Sequence, residues 1–217
     1  MAFALPRYSL PEFEKALLAV SPAALDRRAV EALHAHYMEL TRWNERLALI
    51  GPGTAGEVFG RHYGEALAAL PLVPAPARTA IDLGSGAGFP GLVLAAARPE
   101  LAMTLVEARQ KKWAFLLAAA RQAALPCQVL NARVATPLPA GLPDRFDLVT
   151  ARALKLEPDI LEALASRLTP SGCILLWVGG RDPILPPSLS RGRNLPLPGG
   201  AHRRVLELRP EREPGRA

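Results

Sequence analysis

A short glycine-rich stretch restricts the fold of this 217-residue chain more than any other feature. Residues 80–83 form an apolar run interrupted only by Asp82, and residues 92–97 contain no helix breaker. Between these segments lie four glycines, at Gly84, Gly86, Gly88 and Gly91. Glycine allows the positive φ angles of a tight turn and lets a ligand reach bare backbone. The stretch therefore predicts a strand, a tight turn and a helix, with a ligand held at the turn.

Apolar runs and segments of helical length alternate through most of the chain. The helical segments lie near residues 91–98, 111–124 and 157–168, and the apolar runs are at residues 80–83, 103–106, 127–130, 146–150 and 173–178. This alternation predicts an α/β fold with a parallel, doubly wound sheet covered by helices on both faces. Such sheets bind ligands at the carboxyl ends of their strands, so we expect Asp82, Glu107 and Arg152 to converge there.

Two further regions complete the predicted organisation. Residues 1–75 predict a helical N-terminal cap, because apolar residues recur every three or four positions from 33 to 50 and a second helical stretch runs from 54 to 70. Residues 76–217 form the predicted main domain. Within it, the residues rich in proline and glycine from 183 to 200 predict a loop, residues 203–208 a last strand and residues 209–217 a frayed end.

Composition and charge predict where the protein is located and which class of partner it binds. No apolar run approaches the thickness of a bilayer and the first residues lack a signal-peptide pattern, which predicts a soluble, cytoplasmic protein without membrane contact. Cys127 and Cys173 have no metal-ligand spacing, so we expect reduced core thiols and no metal site. The net charge is +6, and residues 181–217 carry eight basic and four acidic groups. This excess favours a nucleic-acid partner, although a solvated, arginine-rich surface explains it equally well.

The glycine turn is compatible with two cofactors. Residues 86–91 fit the G-x-G-x-x-G pattern of dinucleotide sites, which keeps a nicotinamide oxidoreductase open. Asp82, two positions before the first glycine, has the placement found in class I methyltransferases and favours S-adenosylmethionine. Glu107 ends the second predicted strand, where its two oxygens can accept both ribose hydroxyls of either cofactor. The candidate cofactor-binding residues from this reasoning are Asp82, Gly84, Gly86, Gly88 and Glu107.

Several motifs share one pattern: residues 84–91, 106–107, 111–116 and 146–153, with support from residues 43–44, 61–63 and 196–206. Together they resemble the RsmG (GidB) family, bacterial methyltransferases of the N7 atom of a guanine in 16S ribosomal RNA. It implies an enzyme with the class I (Rossmann-like) S-adenosylmethionine-dependent methyltransferase fold. It also implies S-adenosylmethionine as the cofactor and 16S rRNA or the small ribosomal subunit as the partner. We further expect the protein to be a monomer.

The resemblance also implies roles for individual residues. Phe89, Ala108, Val134 and Ala135 are expected beside the cofactor, and Arg152 is expected to position the cofactor or the reacting base. The expected RNA-binding residues are Arg61, His62, Lys111, Lys112, Arg203 and Arg204. Guanine N7 carries a lone pair and loses no proton on methylation, so no general base is expected.

Two strand ends depart from the family pattern. The chain has Val134 and Ala135 where the family usually has Ala-Glu, and Val178 and Gly179 where it commonly has Lys-Gly. The segment between residues 180 and 203 is also short and rich in proline. Two alternatives therefore stay open: a methyltransferase of the same fold with another RNA or a small molecule as substrate, and a non-catalytic paralogue that binds cofactor or RNA.

Overall fold

The computed structural model of the protein describes residues 4–198 and 202–211. Within these ranges the helices are α1 (Leu10–Leu18), α2 (Arg27–Leu47), α3 (Glu65–Ala68), α4 (Gly91–Ala97), α5 (Gln110–Gln122) and α6 (Pro158–Ala165). The strands are β1 (Thr79–Leu83), β2 (Ala102–Glu107), β3 (Gln128–Asn131), β4 (Phe146–Arg152), β5 (Leu168–Val178), β6 (Leu189–Pro196) and β7 (Arg204–Pro210). Strands and helices alternate from β1 to β5 except between β3 and β4, as the sequence predicts.

The seven strands form one mixed sheet in the order β3-β2-β1-β4-β5-β7-β6. Strands β1 to β5 are parallel, whereas β7 is antiparallel to both β5 and β6. Central strands are buried on both faces, with Ile81 and Val149 fully buried, and their sequences are therefore almost continuously apolar. The prediction of a parallel, doubly wound sheet is confirmed, and the glycine turn lies at the carboxyl edge of this sheet.

The N-terminal helices pack against one face of the sheet. Helix α2 begins after Asp26, whose side chain accepts a hydrogen bond from the Ala29 N–H at 2.7 Å, and ends where Ala48 adopts a left-handed conformation. The apolar stripe of α2 is buried, and α2 contacts α4 and α5. The predicted apolar stripe from residue 33 is therefore confirmed.

The predicted helical stretch over residues 54–70 is helical, but it is not one regular α-helix. The chain there forms a 3-10 turn (Pro52–Glu57), a π-helical segment (Phe59–Gly64), α3 and a second 3-10 turn (Leu70–Leu72). Four glycines between residues 51 and 60 explain the interruption in part, because glycine weakens an α-helix. The π-helical segment carries Arg61 and His62, and such segments are frequent at functional sites.

The predicted loop over residues 183–200 is wrong in part, because β6 occupies residues 189–196. Among the described strands β6 pairs only with β7, and most of its side chains are exposed. An edge strand of this kind tolerates glycine, proline and arginine, so the pattern that predicts a loop also fits β6. The predicted last strand is confirmed by β7, which extends to Pro210, and residues 212–217 lie outside the described residues.

Two hydrophobic clusters lie on opposite faces of the sheet. The larger joins the cap to the sheet, with Leu33, Leu92 and Phe115 at its centre, and the smaller includes Leu161 and Leu164 of α6. The cap and the sheet thus share one core, and the boundary at residue 75 stays a prediction. In the part of the chain that the structure describes, no helix is long and apolar enough to span a membrane.

Candidate active site

The glycine turn after β1 forms the floor of the site. The N–H groups of Gly84 and Ser85 donate to the Val106 carbonyl of β2, at 2.8 and 3.0 Å. The φ angles of Gly84, Gly86 and Gly88 are 70°, 55° and 87°. Residues with a Cβ rarely adopt these angles, so the backbone itself requires glycine in this turn. The turn therefore presents exposed backbone to the space above β1 and β2.

Asp82 lies beneath this turn, at the base of helix α4. It is fully buried and accepts a hydrogen bond from the Thr150 hydroxyl at 2.6 Å. Burial raises the pKa of Asp82 to about 6, although hydrogen bonding to Thr150 opposes the rise. A Cβ on Gly91 would lie only 2.7 Å from Asp82 Oδ2, so glycine lets α4 begin directly against this carboxyl. Asp82 thereby supports the turn from below.

Glu107 ends β2 and faces the turn. Its Oε2 accepts a hydrogen bond from the Gly86 N–H at 3.0 Å, and its Oε1 accepts one from the Arg109 N–H at 2.8 Å. The carboxylate therefore holds the glycine turn against the start of α5. Each oxygen keeps a further lone pair, so the carboxylate can still accept hydrogen bonds from a ligand.

A cleft of about 390 Å³ opens above these residues at the carboxyl edge of the sheet. This size lies within the range of roughly 300–1,000 Å³ that is usual for small-molecule sites. We call it the cofactor cleft. Its lining residues are Leu49, His62, Gly84, Ser85, Gly86, Ala87, Phe89, Val106, Glu107, Ala108, Arg109, Lys112, Ala132, Arg133, Val134, Arg152, Ala153 and Leu154.

Three arginines surround one buried glutamate at the mouth of the cleft. Arg152 Nη2 lies 3.2 Å from Glu65 Oε2 and donates to the Arg61 carbonyl at 2.6 Å. Arg61 Nε lies 3.6 Å from Glu65 Oε1, and Arg203 contacts the same oxygen. Arg152 Nη1 and Arg61 Nε are buried without a hydrogen-bond partner in the described ranges. The cluster thus has more positive charge than its one buried carboxylate balances, which favours binding of an anion.

Burial and the same positive charges act on the neighbouring histidine. Burial, with a smaller contribution from the charges of Arg152 and Arg61, lowers the pKa of His62 to about 3. Burial also lowers the pKa of Arg152, to about 10, so this side chain stays cationic at neutral pH. His62 is therefore neutral, and its ring lies 5.0 Å from the ring of Phe89. The cleft mouth combines fixed positive charge with a neutral aromatic surface.

His36 connects the cap to the glycine turn. Its Nε2 donates to the Ala87 carbonyl at 2.9 Å, because a carbonyl can only accept, and its Nδ1 accepts from the Tyr63 hydroxyl at 2.9 Å. Burial lowers the pKa of His36 to about 4, so the ring is neutral. A Cβ on Gly88 would lie 3.0 Å from His36 Nε2. The cap therefore fixes the conformation of the turn.

A family model described as rRNA small subunit methyltransferase G (GidB) matches residues 29–183 of the chain. The chain belongs to this family. Two curated relatives carry the name ribosomal RNA small subunit methyltransferase G. The protein from Methylobacterium sp. is 40% identical over 75% of this chain and 77% of its own length. The protein from Paramagnetospirillum magneticum is 36% identical over 88% of this chain and 93% of its own length.

Solved structures of lower identity show the same fold. TrmN from Thermus thermophilus has a TM-score of 0.53 and 20% identity, over 70% of this chain and 53% of that protein. A mutant of MtNAS in complex with S-adenosylmethionine has a TM-score of 0.56 and 12% identity, over 93% of this chain and 90% of that protein. The GidB-family chain therefore has the class I methyltransferase fold.

The structure brings most predicted cofactor residues of this GidB-family chain together, but not all. Those that line the cleft are Gly84, Gly86, Phe89, Glu107, Ala108, Val134 and Arg152. Asp82 and Gly88 lie beneath it, and Ala135 is exposed outside it. Because the chain after β3 turns away beyond Val134, Ala135 does not follow its neighbour into the cleft. Contact of each of these residues with the cofactor stays a prediction.

The predicted RNA residues are more scattered. His62 and Lys112 line the cleft, and Arg61 and Arg203 lie around Glu65. Lys111 lines a neighbouring groove with Arg42, Trp43 and Arg46 of α2. Arg204 instead contacts Asp182 and donates to the Gly180 carbonyl at 3.2 Å. The charge of Arg204 is therefore already paired within the protein, which makes it the least available to RNA of the predicted residues.

Sequence reasoning does not find Glu65 and His36, although both shape the site. Glu65 joins Arg152 across 87 positions, and His36 joins Ala87 across 51. The only signal in the sequence is a polar residue at a position where the surrounding helix is apolar, such as His36 beside Tyr37. That signal is weak, because a buried histidine is often only structural.

Proposed function

We propose that this GidB-family chain transfers a methyl group from S-adenosylmethionine to N7 of a guanine in 16S rRNA of the small ribosomal subunit. The observation that carries the proposal is that the family match covers β1 to β5, and the carboxyl ends of β1 to β4 build the cofactor cleft. Relatives with the same family name support the choice of substrate.

The residues of the cleft fit this cofactor. The turn offers bare backbone at Gly86, where a Cβ would meet nothing closer than 3.6 Å, and Glu107 offers free lone pairs for ribose hydroxyls. Arg152 Nη1 is buried and has no hydrogen-bond partner among the described residues, and a carboxylate can satisfy it. We propose that Glu107 holds the ribose, that Arg152 holds the carboxylate of the methionine end, and that Val134 and Phe89 contact the adenine and the methionine chain.

The chemistry needs alignment more than proton transfer. The bound cofactor supplies a methyl group on a sulfonium: its S–C bond breaks as the N7–C bond forms, and the positive charge moves to the purine. No proton leaves guanine N7 in this step. The side chains near the turn agree with that requirement, because both Glu107 oxygens already accept backbone hydrogen bonds. The protein's task is to hold the two reactants in line and to exclude water.

Cations around the cleft support an RNA partner. Arg109, Lys112 and Arg133 line the cleft itself, and Arg46 and Lys111 line the adjoining groove. None of these five forms an ion pair with another described residue. Unpaired cations of this kind are available to RNA phosphates, which position a nucleic acid without reading its sequence. We further propose that the protein acts as a monomer in the cytoplasm.

Cofactor identity is tested by calorimetry of the full chain. We expect S-adenosylhomocysteine to bind and NADH to give no heat. Weaker S-adenosylhomocysteine binding after Glu107→Ala, with an unchanged melting temperature, would assign the ribose contact. Binding of NADH without a response to the thioether would contradict the proposal and favour an oxidoreductase.

The methyl acceptor is tested with small subunits from a strain that lacks this gene. We expect one labelled methyl group per subunit, and strand cleavage at that nucleotide after borohydride and aniline, which requires N7-methylguanine. Label at another atom would contradict only the N7 assignment. Binding of S-adenosylhomocysteine and RNA without transfer would identify a non-catalytic paralogue.

A further inference from the structure

One peptide unit of the glycine turn is hydrogen-bonded at both ends. The N–H of this unit, which joins Ala87 to Gly88, donates to the Ser85 carbonyl at 2.7 Å. Its carbonyl, that of Ala87, accepts a hydrogen bond from His36 Nε2 at 2.9 Å. The first bond lies within the turn, whereas the second comes from helix α2 of the cap. A residue of the cap therefore fixes the orientation of this peptide.

The turn needs the bond from His36 because its own residues resist rotation of this peptide only weakly. A planar peptide unit rotates when ψ of the residue before it and φ of the residue after it change together. Gly88, whose φ angle is 87°, has no Cβ and adopts φ angles of either sign at little cost. Without His36, the Ala87 carbonyl would be free to turn away from the cap. Ala87 lines the cofactor cleft, so this rotation would change the shape of the backbone there.

The ring of His36 is itself held in place. It is fully buried, and its Nδ1 accepts a hydrogen bond from the Tyr63 hydroxyl at 2.9 Å. Burial lowers the pKa of His36 to about 4, so only one ring nitrogen carries a proton at neutral pH. Because Nδ1 accepts, that proton lies on Nε2, the nitrogen that faces Ala87. Tyr63 thus selects the tautomer that can donate to the turn.

Aromatic packing joins the same three segments, α2, the π-helical segment and the glycine turn. The ring of Phe89, in the turn, lies 5.1 Å from the His36 ring and 4.9 Å from the Tyr63 ring, both in edge-to-face contact. Tyr63 belongs to the π-helical segment, which also carries Arg61 and His62 at the mouth of the cleft. His36 and Tyr63 therefore connect the mouth of the cofactor cleft with its floor.

We infer that His36 is a positioning residue for methyl transfer, which holds the peptide between Ala87 and Gly88 in its cofactor-binding orientation, and that Tyr63 acts through it. This inference rests on the proposed function, because it requires S-adenosylmethionine at the glycine turn. His36 lies outside the lining of the cofactor cleft, so its effect reaches the cofactor through the backbone of the turn. Loss of His36 should therefore weaken cofactor binding and leave RNA binding unchanged.

Three substitutions in the full chain separate the contacts of the His36 ring. His36→Leu removes both hydrogen bonds. His36→Gln restores an N–H donor near the position of Nε2 and so keeps the bond to Ala87. Tyr63→Phe removes only the hydroxyl that fixes the tautomer. The measurements are S-adenosylhomocysteine affinity by calorimetry and the kinetics of methyl transfer to unmethylated small subunits.

Helix α2 also provides matched controls. His34→Leu removes a histidine whose Nε2 lies 2.9 Å from the Tyr8 carbonyl. Tyr37→Phe removes a hydroxyl that donates to the Pro6 carbonyl at 2.6 Å. Each control deletes a contact between a side chain and a distant backbone carbonyl, as the test variants do, but neither contact involves the glycine turn.

We expect His36→Leu to weaken S-adenosylhomocysteine binding about tenfold, because the Ala87 carbonyl loses its partner and the peptide is free to rotate. His36→Gln should return the affinity to within about threefold of wild type, and Tyr63→Phe should weaken it about threefold. The double variant should bind as His36→Leu does, since Tyr63 acts through His36. A weaker double variant would overturn the role of Tyr63. Both controls should bind as wild type.

Methyl transfer separates positioning from a loss of folded protein. At a temperature where every variant is folded, His36→Leu should raise the KM for S-adenosylmethionine about tenfold. The KM for small subunits and kcat should stay within about twofold of wild type. A merely structural His36 would lower only the melting temperature. Wild-type S-adenosylhomocysteine affinity and cofactor KM in His36→Leu would overturn the inference and leave the proposed function intact.

Hydrogen exchange, followed by NMR, provides a test that does not depend on cofactor binding or catalysis. His36→Leu should speed exchange of the Gly88 N–H about tenfold relative to the Leu94 N–H, which donates to the Pro90 carbonyl at the start of α4. If wild-type protein binds no S-adenosylhomocysteine and transfers no methyl group, the proposed function fails and this comparison alone decides. Faster relative exchange then supports His36 as the residue that holds the turn, and equal exchange overturns it.

Discussion

Two buried glutamates of this protein are held by arginines, and the two clusters differ in how completely they are satisfied. At the far edge of the sheet, Glu207 accepts four hydrogen bonds, three from Arg193 and one from Arg209. At the cleft, Glu65 faces Arg61, Arg152 and Arg203, yet two of these guanidinium groups keep buried N–H groups without a hydrogen-bond partner in the described ranges.

Solvent exposure separates the clusters further. Arg193 and Arg209 are 51% and 38% exposed, whereas Arg152 and Arg203 are 16% and 18% exposed. Water can therefore stabilise both arginines around Glu207, whereas around Glu65 it reaches only Arg61, which is 33% exposed, to a comparable extent. The comparison teaches that one cluster fastens β6 to β7, and that the other leaves positive charge unbalanced at a cost in stability, as the ligand-binding role proposed for Arg152 requires.

Removal of the cleft carboxylate should give the largest effect. Glu65→Gln leaves the poorly hydrated Arg152 and Arg203 beside Arg61 without their carboxylate, so we expect a loss of about 3–5 kcal/mol in the free energy of unfolding. Urea denaturation measures this loss. A loss below about 1 kcal/mol would show that the arginines do not depend on Glu65.

Removal of a cleft arginine should affect transfer more than stability. If Arg152 positions the cofactor as proposed, Arg152→Ala should slow methyl transfer about 100-fold, equivalent to about 2.7 kcal/mol. Its melting temperature should change little, since Arg61 and Arg203 still balance Glu65. Arg209→Ala is the matched control from the other cluster, and a similar loss of transfer there would remove the distinction between them.

Removal of the edge carboxylate should give the opposite pattern. Glu207→Gln should lower the free energy of unfolding by about 2 kcal/mol, because hydrogen bonds to Arg193 and Arg209 are lost while both arginines can still reach water. Methyl transfer and S-adenosylhomocysteine affinity should stay at wild-type values at a temperature where the variant is folded. Weaker cofactor binding in this variant would contradict a purely structural role.

As the pH falls, the contacts of His36 beside the cofactor cleft should be destabilised before the cluster around Glu207. Burial opposes ionisation of Glu207, but hydrogen bonds from Arg193 and Arg209 outweigh it and lower its pKa, so this cluster stays charged in mild acid. His36 has a pKa near 4, below the ordinary value of about 6.5. As the pH falls from about 6.5 to about 4, the His36 side chain is protonated in the unfolded chain before it is protonated in the folded protein. The folded state therefore loses stability over this range.

His36→Gln keeps the donor to Ala87 without the titration. The variant should lose about 2–3 kcal/mol less stability than wild type between pH 7.5 and pH 4.5. Asp82, whose pKa is raised to about 6, acts in the opposite direction and is present in both proteins. Chemical denaturation at the two pH values measures the difference, and identical losses would exclude His36 as the acid-sensitive group.

The sequence predicts best where local pattern and burial agree. Strands β1 and β4 are buried on both faces, so their apolar runs are visible, and the glycine turn is visible because its φ angles demand glycine. The cleft residues on these elements follow from the parallel topology. The π-helical segment and the roles of Glu65 and His36 depend on partners more than 25 positions away, which local patterns do not encode.

The composition of β6 has one more consequence. An outer strand has an unpaired row of backbone N–H and C=O groups that another chain can extend. In β6 this edge carries Arg191, Arg193 and Pro196, and the pairing with β7 is irregular between Arg191 and Asn194. Charge, proline and irregular pairing each oppose addition of a further strand. The residues that led to the prediction of a loop in this segment therefore protect the sheet against edge-to-edge aggregation.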